Sequence, residues 1–124
     1  MLTRISVPEK AKPPVPALDF HFRGRRADMR PLFDRLIAEL SKRCDFDLQI
    51  GKTYIGLKHR VVFAGLYVQT KKILVEIVVR REFKCARINK VVQFAPKRWA
   101  HFVAVQTDKD IDEQLLRWLQ QSCE

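Results

Sequence analysis

Between residues 52 and 98, twelve Lys and Arg residues stand against only two carboxylates, Glu76 and Glu82. The cations are Lys52, Lys58, Arg60, Lys71, Lys72, Arg80, Arg81, Lys84, Arg87, Lys90, Lys97 and Arg98. Cations fixed along a surface suit phosphate, because each phosphate neutralised on duplex DNA releases counterions and lowers log affinity by about 0.9 per unit of log salt. The whole chain carries a formal +10, of which residues 1–51 contribute +3 and residues 99–124 contribute −3. The excess therefore belongs to the middle of the chain. Tyr54, Tyr67 and Trp99 lie near these cations in sequence and have faces on which bases stack, although each fits a core or interface position equally well.

Other chemistries find little support. His59 and His101 are the only candidate general bases in this region, and no Ser or Cys sits in a nucleophile setting such as GxSxG. Gly24, Gly51, Gly56 and Gly65 form neither a P-loop nor a GxGxxG run. Paired-acid or two-metal hydrolysis requires converging carboxylates, which the basic stretch lacks. Cys44, Cys85 and Cys123 are odd in number, far apart and without a CxxC pair, so they read as reduced thiols and not as metal ligands. The sequence thus yields no catalytic constellation, no metal site and no cofactor motif, and it leans away from an enzyme.

The elements that must position the cations are legible from periodicity. A chain of 124 residues with 47% hydrophobic content is expected to fold around one core. Residues 1–18 hold Pro8, Pro13, Pro14 and Pro16 and read as a flexible, Pro-rich leader, leaving 19–124 as a single domain. Leu18, Phe20 and Phe22 alternate, as a short edge strand or ordered arm would, with His21 between the two phenylalanines. Asp28 is the expected cap of a helix running to Arg43, with Pro31 in its first turn and an apolar stripe of Met29, Leu32, Phe33, Leu36, Ile37 and Leu40. Strands are expected at 45–50, 52–58, 61–68 and 73–80, joined by short turns. Residues 82–90 read as a loop, 91–94 as a short strand and 101–105 as the last strand. A final helix follows, with Thr107 as its cap, Asp110 in a near capping box, and Ile111, Leu115, Trp118 and Leu119 facing inward.

The expected fold is α+β: a single domain with an antiparallel sheet of five or six strands flanked by an N-terminal and a C-terminal helix. Both faces of the central strands are apolar, so helices are expected on one, with the leader, a second subunit or a ligand on the other. No apolar run approaches the roughly 18 residues of a membrane span. No signal-peptide core precedes the prolines, and the expected compartment is the cytoplasm.

These residues also carry a resemblance. HFRGRRADMRPLFDRL, KTYIGL, FAGL, the Lys71-Lys72 turn, Arg87-Ile88, the strand with His101 and DIDEQLLRWL together resemble an uncharacterised bacterial domain family of unknown function. The resemblance covers about residues 20–122 and implies a domain that occurs alone or C-terminal to nuclease-like regions. Some members place a Cys-rich, zinc-ribbon-like leader before the HF motif, whereas the leader here is Pro-rich and lacks Cys, which removes any metal role. The family has no established chemistry, so no catalytic residue is carried over.

The cations at strand ends, together with the loop after Arg81 and one histidine, form the candidate nucleic-acid or anion site: Lys58, Arg60, Arg80, Arg81, Lys84, Arg87, Lys90, Arg98 and His101. Lys71 and Lys72 are expected at the opposite end of the sheet. The leading expectation is a non-enzymatic, nucleic-acid-binding accessory module with DNA or RNA as partner. A protein-interaction or homodimerisation module is the alternative, suggested by the two-sided apolar sheet. Another is a small-anion pocket around Arg87, Arg98 and His101, in which His101 reads more readily as a structural imidazole.

Overall fold

The computed structural model describes residues 17–124, so the expected leader lies outside the described residues except for Ala17 and Leu18. Six strands, β1 (Asp47–Ile50), β2 (Ile55–His59), β3 (Val61–Val68), β4 (Ile73–Val79), β5 (Ile88–Ala95) and β6 (Arg98–Val105), form one sheet in the order β1-β2-β3-β4-β6-β5. Every neighbouring pair is antiparallel. Helix α1 (Arg30–Ser41) precedes the sheet and helix α2 (Glu113–Cys123) follows it. The architecture is α+β, as the periodicity of the sequence predicts.

Alternation decides which side the helices cover. Along β4, Ile73, Val75 and Ile77 are buried while Leu74, Glu76 and Val78 are half-buried. The cross-strand register carries the buried face to Ala64, Leu66 and Val68 on β3 and to His101, Val103 and Val105 on β6. Helix α2 lies against β3 and β4 and touches α1. Leu32, Phe33, Leu36 and Leu40 of α1 join Leu115, Leu116 and Leu119 of α2 in the same core. Both helices therefore cover one face, and the other is bare among the described residues.

Several local expectations shift for identifiable reasons. Leu18–Phe22 forms a 3-10 helix in place of an edge strand, and the His21 ring donates from Nε2 to the Gly51 carbonyl at 2.7 Å. That bond anchors the arm with a buried imidazole. Asp28 does not cap α1: it lies within a second 3-10 segment, Gly24–Met29, and the helix begins at Arg30 with Pro31 in its first turn. Gly51 donates its N–H to the Tyr54 carbonyl at 2.9 Å, so Lys52 and Thr53 form a turn and β2 starts later than expected. The segment after Arg87 belongs to β5, longer than the short strand expected, and β6 begins at Arg98 because Pro96 and Lys97 form a tight hairpin turn. Thr107 and Asp110 do make a capping box, but around the 3-10 turn Asp108–Asp110. The carboxylate of Asp112, accepting from the Leu115 N–H, caps α2 itself.

On the bare face, Gly56 and Gly65 oppose one another across β2 and β3. A Cβ at either would come within 3.2–3.3 Å of the Tyr54 ring, so glycine here lets an aromatic ring lie flat on the backbone. Tyr54 stacks on Tyr67 at 5.8 Å between ring centroids, and the Tyr67 hydroxyl donates to Glu76 Oε1 at 3.0 Å. No helix of the described residues is long and apolar enough to cross a membrane.

Candidate phosphate-binding cleft

The sheet splits at one end. β3 and β4 pair only from Val68↔Ile73 to Ala64↔Ile77, yet β3 continues to Val61 alongside β2 and β4 continues to Val79 alongside β6. The divergence begins at a bulge: Leu57 pairs with Ala64 and Lys58 with Val62, leaving Phe63 as the extra residue. Bulges bend the strand and raise its local twist, which here turns the β2–β3 hairpin away from β4. Phe63 and Val78 would be the next cross-strand pair. Their carbonyl oxygens instead both lie within reach of the Ser122 hydroxyl, 2.7 Å from Phe63 O, so the last turn of α2 closes the gap from the covered side.

A cavity of about 510 Å³ occupies this split. One wall comes from His59, Arg60, Val61 and Phe63, and the other from Val78 to Arg81, Phe83 and Arg98. Residues 121–124 form the floor. Three separate elements supply the arginines. Arg60 is the single residue between the paired His59 and Val61, and it holds a positive φ of 71°, the only non-glycine to do so among the described residues. Left-handed backbone costs a side-chain-bearing residue about 1–2 kcal/mol, and it is met both in tight hairpin turns such as this one and at functional sites. Arg80 and Arg81 follow β4 and are exposed. Arg98 opens β6, half-buried, with its guanidinium 5.7 Å from the Phe94 ring and a buried Nε that has no hydrogen-bond partner among the described residues.

None of these four arginines makes an ion pair among the described residues, whereas Arg30, Arg35, Arg43, Arg87 and Arg117 all do. Among the described residues, Glu124 is the one acidic residue on the cavity's lining, beside the negative end of the α2 dipole. Four like charges around one space repel one another, and an anion between them relieves that repulsion. Lys97, in the β5–β6 turn, and Lys58, beside the bulge, lie at the same end of the sheet. Lys71 and Lys72 sit at the opposite end, in the β3–β4 turn closed by the Gln69 N–H to the Lys72 carbonyl at 2.9 Å.

Of the nine residues singled out from the sequence, the cavity gathers Arg60, Arg80, Arg81 and Arg98. The other five lie elsewhere. Lys58 is on the bare face, opposite Asp47 across β1 and β2. Lys84 is exposed in the loop between β4 and β5. The Arg87 guanidinium donates to Asp112 at 2.8 Å, to the Asp110 carbonyl at 2.8 Å and to Gln114, and lies 5.9 Å from the Trp118 ring, so it locks the start of α2 to β5. Lys90 rests on Phe102 of the bare face, 5.8 Å from the ring. His101 is fully buried: its Nε2 accepts the Phe83 N–H at 3.1 Å, which places its proton on Nδ1, and burial pushes its pKa below the usual value. The Phe83 ring stacks on it at 4.1 Å.

Residues that the sequence reading passed over also shape the cleft. Phe83 looked like loop, although an aromatic in a charged loop is a signal of anchoring, and Ser122 gave no local signal at all. Arg87 and His101 are drawn apart from Arg98 by the strand geometry: Arg98 projects on the bare face and His101 on the covered one.

The fold and this cleft define a small α+β domain with both helices on one face of an antiparallel sheet and an arginine-walled notch at one end. The chain belongs to the family described as Domain of unknown function (DUF5655), whose model matches residues 18–124. No curated protein and no solved structure matches it.

Proposed function

We propose that this protein is a non-enzymatic nucleic-acid-binding module that holds phosphate in the cleft between its two half-sheets. The observation that carries this reading is the convergence of Arg60, Arg80, Arg81 and Arg98 on one cavity with no ion-pair partner among the described residues. Guanidinium groups bind phosphate through paired, planar hydrogen bonds and stay charged at all physiological pH values. Lys58 and Lys97 flank the notch and extend the positive potential over which a backbone can run. An accessory role beside a nuclease-like region, as the sequence resemblance implies, fits a part that grips nucleic acid without cutting it.

Nuclear magnetic resonance with a short single-stranded oligonucleotide tests the site. Backbone amide shifts are expected at Arg60, Val61, Val79 to Arg81 and Arg98. No shifts, or shifts centred on Lys71 and Lys72, overturn the reading.

A second reading rests on the bare face and the free edge of β5, where Phe94 is 55% exposed and Val92 37%. Apolar side chains beside an unpaired strand edge favour docking of a protein strand or a second copy of the chain. A monomer at all concentrations in light scattering, with no exchange protection on β5, removes the self-association form of it.

A further inference from the structure

Four guanidinium groups around one notch exceed what a single internal phosphodiester neutralises. Resting on the nucleic-acid reading above, we propose that the cleft receives the phosphorylated end of a strand, with the terminal phosphomonoester on the arginines and the terminal sugar and base against the apolar wall. An internal phosphodiester carries one negative charge and two free oxygens. A phosphomonoester carries about −1.5 to −2 near neutral pH and three strong acceptor oxygens. The larger charge matches a site in which, among the described residues, four arginines face only Glu124 and the end of a helix.

Donor geometry points the same way. Arg98 is half-buried on the lining, and its Nε is buried without a partner among the described residues, so the terminal nitrogens of its guanidinium are the groups that can meet a ligand in the notch. The three oxygens of a monoester accept from several guanidinium groups at once, where an internal diester offers two free oxygens. Shape adds a further constraint: α2's last turn closes the covered side of the notch through Ser122, so a strand that enters it stops there. Val61, Val79 and Phe83 line the remaining wall. The 510 Å³ of space lies within the roughly 300–1,000 Å³ typical of sites that enclose a small molecule, enough for one nucleotide and too confined for a duplex.

The test uses the full chain and one oligonucleotide sequence in 5′-phosphorylated, 3′-phosphorylated and hydroxyl-ended forms, followed by fluorescence anisotropy at fixed salt. One phosphorylated form is expected to bind about tenfold tighter than the hydroxyl-ended one, the scale of one charge-assisted hydrogen-bonded contact. Arg98→Lys is expected to erase the preference, and so is the exposed Arg80→Gln, which guards against misfolding of the buried variant. The Lys71→Gln/Lys72→Gln variant, altered at the other end of the sheet, is expected to retain it. Equal affinity for the three forms overturns end recognition and leaves the nucleic-acid reading standing. Binding to none of them overturns both. If a mononucleotide competes at the same concentration as the phosphorylated oligonucleotide, the strand end is not the ligand and the inference also falls.

Discussion

The carbonyl oxygens of Phe63 and Val78 are the first that the β3–β4 ladder leaves unpaired, and both turn to the hydroxyl of Ser122 on α2. A hydroxyl has one proton to donate, so the two carbonyls share it. This bridge fixes the width of the notch and ties the last turn of α2 to the sheet. Ser122→Ala is expected to cost about 1–3 kcal/mol, the penalty for stripping a partner from largely buried polar groups. Denaturant titration would show a lower midpoint with an unchanged slope. An unaltered midpoint would mean that water replaces the hydroxyl without loss.

Tyr54 covers the facing glycines 56 and 65 and stacks on Tyr67. Tyr54→Ala uncovers two stretches of backbone and removes an aromatic pair, with an expected loss of about 2–3 kcal/mol from lost burial and stacking together. Nucleic-acid binding at the notch should survive it. A loss of binding without a loss of stability would instead make the bare face part of the binding surface.

The phenol of Tyr67 is pushed up to about 12, first by burial and then by its hydrogen bond to Glu76. Its folded value lies above the ordinary 10.0, so the contribution to stability is complete below pH 10 and is lost as the pH rises towards 12. Spectrophotometric titration should separate this late ionisation from that of a freely titrating tyrosine. Tyr67→Phe should flatten the alkaline loss of stability.

His101 shows the opposite sign. Burial depresses its folded pKa below 6.5, so its contribution is present above pH 6.5 and is lost as the pH falls through the lower folded value. Proton resonances of the His101 ring should titrate below those of a solvated histidine. A further acid step comes from Glu113, held down to about 2 by the Arg43 guanidinium from an ordinary 4.5; its contribution, present above 4.5, fades towards pH 2. A His101 midpoint at or above 6.5 would contradict the buried, proton-accepting placement of Nε2.

Periodicity made most of the fold legible. The alternation of Ile73, Val75 and Ile77 with Leu74, Glu76 and Val78, and the three-and-four spacing of Leu32, Phe33, Leu36 and Leu40, are local patterns that survive in the folded chain. Turn boundaries were less legible, because they depend on partners far away in sequence. Asp112 caps α2 while Thr107 caps only a 3-10 turn, and the arm at Leu18–Phe22 is set by the bond from His21 to Gly51. The candidate cleft was half legible. Arg60, Arg80 and Arg81 announce themselves as cations at strand ends, and antiparallel topology brings those ends together. The split that makes them a cleft was hidden, since it arises from a bulge at Phe63 and a serine some sixty residues on. Arg87 looked equivalent to its neighbours, yet the acids that neutralise it lie on the start of α2.

The most direct measurement is the salt dependence of binding to a single-stranded oligonucleotide for the wild type and for a variant carrying Arg60→Gln, Arg80→Gln and Arg81→Gln, three exposed positions whose loss leaves the core intact. Each arginine on a phosphate contributes about 0.7 to the slope of log affinity against log salt on a single strand, so the variant's slope should be shallower by about 2 and its low-salt affinity weaker. Identical slopes and affinities for the two proteins, or no salt-dependent binding by the wild type, would contradict a phosphate-binding cleft at this end of the sheet.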